Sequence, residues 1–381
     1  MTLKICPIKA LLFASLGAGC TAHAQNSVTL YGRLNDGVSY ISNIGGGPVA
    51  MLDSGVEAGN RWGLTGKENL GGGTFAIFTL ESGFTMSSGK SLQGGALFGR
   101  QAFVGLSNDS WGSITLGNQY DFVYEYLSEF GVGAQISGGY AGIHIGGYDR
   151  MSWARLPNSV KYLGSIGNHI KIGAMYSFGG VPGSMQTSSS FSAGMHYSDG
   201  GFSLGTAYTK VYNPLSLDPY YVAGLKTFLG QPTVSVAPVS GAVTDLYLTK
   251  PFLVDSSQTF GVGATYTTGK VRVSAVYNGT IFKGFGEVST LQTIDTGLMY
   301  NFTPSFTGAV DVGHSWFEGS DWYEAVVGLT YSLSKSTTLY ASTEYMRAHG
   351  NTTANISAGA NFAASSGPTQ LAYRLAIRHS F

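Results

Sequence analysis

Charge is scarce in this chain: Asp, Glu, Lys and Arg make up only 11% of its 381 residues, against roughly 25% in soluble domains. Long apolar runs are missing too. The most apolar stretch, residues 10–18, falls well short of the roughly 20 residues a membrane helix needs, which excludes a helical membrane protein. Cysteine is limited to Cys6 and Cys20. There is no basic excess, with 21 Lys and Arg against 21 Asp and Glu, so nothing invites nucleic acid. None of the histidines that outlast the leader is embedded in a G-x-S-x-G elbow, no Walker loop is present, and no His/Asp/Cys group has metal-ligand spacing. Hydrolase chemistry would need a serine beside a histidine held by a third polar group. His144, His169, His196, His314, His349 and His379 each read instead as lumen, loop or interface residues. The expectation is no enzyme, no cofactor and no metal.

Lys4 and Lys9 precede the short apolar run, and Ala22-His23-Ala24 follows it. This is the layout of a secretory leader with a small-x-small cleavage site. Residues 1–24 are therefore expected to be removed, leaving 25–381 as a single domain that begins at Gln25. A competing lipoprotein cut before Cys20 is disfavoured by Gly17, where a branched apolar residue is usual. Either cut removes both leader lysines, so the mature chain carries a small negative excess. After cleavage at residue 24 it also has no cysteine, and backbone pairing and burial must hold it together.

What is present is alternation. Val28, Leu30 and Leu34 share one face of the first segment, and Thr29, Tyr31 and Arg33 share the other. Trp62 and Leu64 likewise oppose Arg61, Thr65 and Lys67. Period two marks a sheet with one apolar face. Sixteen such segments of about ten residues run from 27–40 to 371–381, the length of tilted membrane strands. Their connections alternate short (Gly167-Asn168, Asp199-Gly200, Thr303-Pro304) with long (41–57, 121–153, 213–256, 281–290). A soluble sandwich rarely shows such one-sided loops. The expected fold is all-β, a 16-stranded antiparallel transmembrane β-barrel, closed because no strand edge can face hydrocarbon. Tyrosines near strand ends, among them Tyr31, Tyr40, Tyr266, Tyr300 and Tyr331, suit interfacial girdles.

One long connection stands apart. Asp121, Glu125 and Glu129 are spaced four apart, which on a helix stacks three carboxylates on one face. Such a face needs water or facing cations. The segment either folds into the barrel lumen and narrows it, or lies on the surface as an acidic loop.

The stretches SVTLYGRLNDGVSY, NRWGLTGKENLGGGTFAIFTLESGF, FGRQAFVGL, WGSITLGNQYD, SEFGVG, NSVKY and the closing RHSF, in this order, resemble the general diffusion porins of Gram-negative bacteria, in particular the β-proteobacterial branch. The resemblance implies an outer-membrane homotrimer with its third outer loop folded inward. It also implies passive diffusion of small hydrophilic solutes and ions past an acidic loop that faces a ladder of arginines. By position the loop acids are Glu125 and Glu129, with Asp121 beside them. The wall bases are Arg61, Arg100 and Arg155, with Arg33 from the first strand. Implied partners are outer-membrane lipid and lipopolysaccharide, and the barrel-assembly machinery, which would read the terminal strand ending in Phe381. Four arginines against three acids lean towards weak anion preference. Alternatives are a substrate-specific channel, which Tyr120, Tyr124, Tyr126, Phe130 and Tyr140 leave open, and an adhesin on the same barrel. Two departures from the family pattern stand out. Ser128 and Val132 replace the usual proline and second glycine of the loop motif, and Ser336 replaces the turn arginine. Arg100 shares parity with Ala102, Val104 and Leu106, which points it at lipid. Packing of the folded loop on an apolar inner wall is the expected resolution.

Overall fold

The computed structural model describes residues 27–131, 138–140, 143–152, 154–357 and 362–381. The expected leader and Val132 lie outside them. The barrel strands are β1 (Ser27–Ile44), β2 in two pieces (Gly47–Ser54 and Arg61–Gly71), β3 (Thr74–Gly83), β4 (Gln101–Asn108), β5 (Gly112–Tyr120) and β6 (Arg155–Ile166). Next come β7 (Ile170–Ser177), β8 (Ser190–Asp199), β9 (Phe202–Leu217), β10 (Phe252–Thr268) and β11 (Val271–Gly284). The last five are β12 (Glu287–Thr303), β13 (Phe306–Phe317), β14 (Ser320–Ser332), β15 (Thr337–His349) and β16 (Thr369–Ser380). Each pairs antiparallel with its neighbours in sequence. β1 closes the ring by pairing along its other edge with β16, with Val38 opposite Leu375. The sixteen expected strands are all present.

The pleat sorts the side chains as the alternation predicts. Val28, Leu30, Val104, Leu106, Val310, Val327 and Leu375 are exposed on the outer face, where hydrocarbon would cover them. Tyr31 departs from the girdle expectation. It shares the inner face with Arg33, and its hydroxyl donates to Glu81 Oε2 at 2.9 Å.

The long connections differ from expectation in kind. Strands overrun the apolar band, so the connections at 41–57 and 281–290 are mostly tall hairpins turning at Gly45–Gly46 and Phe285–Gly286. Above the band both faces meet water or loop, and the apolar alternation that identifies a strand fades. The longest connection holds a short helix, α2 (Pro219–Ala223), and two small ladders, one pairing Val234–Val236 with Val243–Asp245.

Two apolar clusters occupy part of the lumen, which a barrel this wide would otherwise leave to water. At the long-loop end, Phe228, Phe252, Phe282, Phe317 and Trp322 bury against Ile143, Ile145 and Tyr148 of the third loop and Ile356 and Phe362 of the last. Deeper inside, helix α1 (Phe122–Leu127) presses Phe122, Tyr126, Leu127 and the following Phe130 onto Met175, Ala207 and Val276. The wall makes room for it with glycine. A Cβ at Gly263 would lie 2.3 Å from the Phe130 ring, and one at Gly205 2.1 Å from the Tyr126 carbonyl oxygen. Backbone oxygen cannot swing aside as a side-chain tip can. Gly205→Ala should therefore cost about 1–3 kcal/mol, read as a lower unfolding temperature of the detergent-solubilised barrel. Gly47→Ala, where an added methyl meets nothing within 4 Å, should leave that temperature unchanged.

Candidate pore constriction

The third loop leaves the wall at Tyr120 and rejoins it at the paired Arg155. Asp121 starts α1. Its carboxylate accepts the Tyr124 amide at 3.0 Å, as an N-cap does, and takes Arg150 Nε at 2.5 Å through its other oxygen. It is fully buried, and an unpaired carboxylate there would be costly. The expected stack of three acids on one helical face does not form. The helix ends at Leu127, and Ser128–Phe130 tightens into a 3-10 turn. Glu125 pairs with Lys161 of β6. Glu129 meets His196 Nε2 at 2.5 Å, and its carbonyl accepts Arg272 Nη2 at 3.1 Å. Both acids border a cavity of about 530 Å³ that opens among Asn108, Asp109, Ser165 and Lys171, at the short-turn end of the barrel.

The arginines gather elsewhere. Arg33 and Arg61 sit directly opposite each other on β1 and β2, a like-charge juxtaposition that destabilises a sheet unless something else wants it. Arg33 makes no ion pair or hydrogen bond to a described side chain or backbone group. Arg61 spends only Nε, on the Gly59 carbonyl at 3.0 Å. Arg378 of β16, within electrostatic reach of Arg33, is paired with Glu57.

Arg100 is buried inside the barrel, with Nε 2.7 Å from Glu81 Oε1 and Nη2 2.7 Å from the Tyr120 hydroxyl. The reason is not the apolar inner wall that was expected. Val104 and Leu106 do face outward and are exposed. Strand β4, however, begins only at Gln101, so Arg100 precedes the pleat and escapes its parity.

Arg155 lies 4.9 Å over the Tyr120 ring and reaches its hydroxyl at 3.4 Å. Tyr120 in turn stacks on Tyr124, with centroids 4.3 Å apart at 28°. Burial and the neighbouring Tyr120 push the Tyr124 phenol above its ordinary value, although Arg61, Arg100 and Arg155 pull the other way, so it stays neutral. What faces the arginines is this pair of tyrosines, while the loop acids look towards the short-turn end.

Residue patterns alone did not single out Lys161, His196, Arg272, Arg150 or Arg378. Parity could have found two of them. Lys161 and Arg378 lie on inward faces opposite Tyr162 and Ile377. The partners of Asp121 and Glu129 are fixed by the path of the loop, which no local pattern encodes.

A second anchor holds the loop's far half. His144 bridges Asp149 Oδ2 at 2.6 Å and Asp295 Oδ2 of β12 at 3.2 Å, and Asn278 Nδ2 adds a bond to Asp149 at 3.2 Å. Tyr140 continues it, donating its amide to Glu344 at 2.5 Å and its hydroxyl to Ser39 at 2.8 Å.

Known proteins share this arrangement of strands. The sequence profile of the Gram-negative porins matches residues 10–351. The chain belongs to the Gram-negative porin family. An outer membrane porin of Bordetella pertussis is 31% identical over 98% of this chain and the whole of that protein. Outer membrane porin protein 32 of Delftia acidovorans is 25% identical over 97% of this chain and 99% of its own length. Among solved structures, an anion-selective porin from Comamonas acidovorans superposes with a TM-score of 0.75 at 20% identity, covering 94% of this chain and all of that one. This porin is thus an integral β-barrel of the outer membrane that forms a channel, and its short turns mark the periplasmic end.

The loop anchor of the porin is open to titration. Burial alone would lower the His144 pKa, but Asp149 and Asp295 outweigh it and raise it from 6.5 to about 10. A raised folded-state pKa gives stability that is complete below the unfolded value of 6.5 and gone once pH passes about 10. The gap in unfolding temperature between wild type and His144→Gln should therefore be widest in mild acid and shrink across that window. A gap that stays flat with pH would mean that the imidazole carries no extra proton.

Proposed function

We propose that this porin passes small hydrophilic solutes and ions by passive diffusion, with a weak preference for anions set by Arg33, Arg61 and Arg155. The observation that carries the reading is the pair Arg33 and Arg61, opposite each other and neither in an ion pair with a described residue, while Glu57, the carboxylate within electrostatic reach of Arg33, is held by Arg378. A guanidinium attracts an anion at 4 Å by about 1 kcal/mol in bulk water, and by several-fold more where a narrow wall excludes water. Arg100 and Arg378 support the same collar, but each already holds a carboxylate. Of the loop acids, Glu125 and Glu129 border the constriction from the periplasmic side, and Asp121 anchors the loop to Arg150. The anion selectivity named for the Comamonas porin fits this arrangement.

The surroundings follow from the family. The relatives matched are porins by name rather than enzymes, and this chain offers the same use of the barrel. A homotrimer would cover part of the outer apolar face. Outer-membrane lipid and lipopolysaccharide would cover the rest. The terminal strand, whose last residue Phe381 exchanges backbone hydrogen bonds with Gly32, would be the segment read by the barrel-assembly machinery. Residues 1–24 would be the leader that takes the chain across the inner membrane, with 25–381 as the barrel domain.

Reversal potentials in a planar bilayer under a salt gradient test the selectivity. Wild type should favour chloride over potassium modestly. Arg33→Ala/Arg61→Ala/Arg155→Ala should bring the preference to or past neutrality, and Glu125→Gln/Glu129→Gln should strengthen it. Triple substitution without any shift would place the selectivity filter elsewhere.

A further inference from the structure

We infer that the constriction holds a binding subsite for small aromatic carboxylates, built from the Tyr120–Tyr124 stack that Arg155 covers and the open guanidinium groups of Arg33 and Arg61. The inference rests on the anion-preferring reading of the same collar and adds to it the class of anion that the site retains.

Two features converge. The first is an incomplete stack. Arg155 lies over Tyr120, and Tyr120 stacks on Tyr124. Beyond Tyr120 the described residues place no other aromatic ring on Tyr124. Tyr124 is only half-buried, and its hydroxyl bonds to no described residue. A planar ring entering the lumen meets an aromatic partner there, and offset stacking favours it. The second is unspent guanidinium capacity. Arg33 makes no hydrogen bond or ion pair to a described residue, with Glu57 only within electrostatic reach and itself held by Arg378, and Arg61 uses only Nε. Guanidinium forks bind carboxylates through paired, charge-assisted hydrogen bonds. Arg61 holds the Gly59 carbonyl, a Cβ at Gly59 would lie 3.1 Å from Arg100 Nη1, Arg100 holds the Tyr120 hydroxyl at 2.7 Å, and Tyr120 stacks on Tyr124, so the ring and carboxylate subsites are neighbours.

The chemistry narrows the ligand. An aromatic amine is repelled by the collar. A sugar finds the ring but no open carboxylate for its hydroxyls, since Glu125 is engaged by Lys161 and Glu81 by Arg100. An aliphatic acid finds the arginines but gains nothing from Tyr124. Only a ring that bears a carboxylate uses both halves.

The probes are benzoate, cyclohexanecarboxylate of the same size and charge, and benzyl alcohol, which has the ring without the charge. Each is titrated against the chloride current of single wild-type channels. Benzoate should reduce the current saturably, and cyclohexanecarboxylate should do so with roughly 2- to 10-fold weaker affinity, the span that one aromatic stack supplies. Benzyl alcohol should have little effect. Tyr124→Leu should abolish the difference between the two acids, and Arg61→Gln should weaken both. Equal block by the two acids in wild type would overturn the inference, as would block by benzyl alcohol matching that by benzoate. Discrimination surviving in Tyr124→Leu would do the same. Should that variant fail to insert, the wild-type comparison and Arg61→Gln still decide. The two readings fail separately. A cation-selective wild type removes the collar itself, whereas an anion-selective channel that ignores the ring removes only the subsite.

Discussion

Every other feature of this molecule depends on one constraint: inside hydrocarbon no backbone N–H or C=O can go unpaired. The chain meets it by returning β16 to β1, so that the sheet has no edge. Closure fixes a rigid wall whose inward positions are set two residues at a time. Anything that narrows the pore must fit that wall, because the wall cannot move to meet it. The third loop fits by trading side chains, with bulky Phe122, Tyr126 and Phe130 on the loop and glycine at the wall positions beneath them. The narrowing is therefore written as much into the missing side chains of β9 and β10 as into the loop.

Bringing a charged loop into a closed barrel buries ions, and buried ions need partners. Asp121 finds Arg150 within the loop itself, and His144 finds one carboxylate on the loop and one on the wall. Glu125 and Glu129 find Lys161 and His196. These pairs use up the charges that could have faced the arginines across the water. Arg33 and Arg61 are left without an ion pair because the acids by the collar, Glu57 and Glu81, already hold Arg378 and Arg100. In this molecule the anchoring of the loop and the proposed selectivity of the pore draw on the same few carboxylates.

The strands were legible in the sequence because lipid and water impose opposite demands on alternate residues. Val28 and Leu30 against Thr29 and Arg33 carry that signal without reference to any other part of the chain. Tyr31 was misplaced only where the girdle expectation overrode its own parity. The tall hairpins at Gly45–Gly46 and Phe285–Gly286 were missed because the two-sided demand stops above the membrane. Arg100 lies inside the barrel, but its parity was misread for a related reason, since parity holds only within a strand and that strand starts one residue later. The constriction was legible as a cast of residues but not as an arrangement. Spacing of four placed Asp121, Glu125 and Glu129 on one face, yet a helix of six residues that opens on Asp121 as its cap gives that residue a different neighbour. Arg150 lies 29 residues away along a loop with no periodicity.

Direction along α1 explains why collar and acids end up at different heights. The helix enters beside Tyr120, at the long-loop ends of β5 and β6, and runs towards the periplasmic turns that Phe130 and Glu129 approach. Tyr124 and Glu125 are consecutive, so they point about 100° apart around the axis. One turns to the arginines and the other to Lys161 and the vestibule below. A general porin is expected to set acids against bases across its narrowest point, so that the field lies crosswise. Here, on the proposed reading, the unpaired guanidinium groups lie above, and Glu125 and Glu129 lie below, already held by Lys161 and His196. An anion drawn into the collar then leaves it for a vestibule whose acids and bases are paired with one another. Attraction confined to the narrow point can raise occupancy without trapping the solute, the compromise that conduction through any selective pore demands.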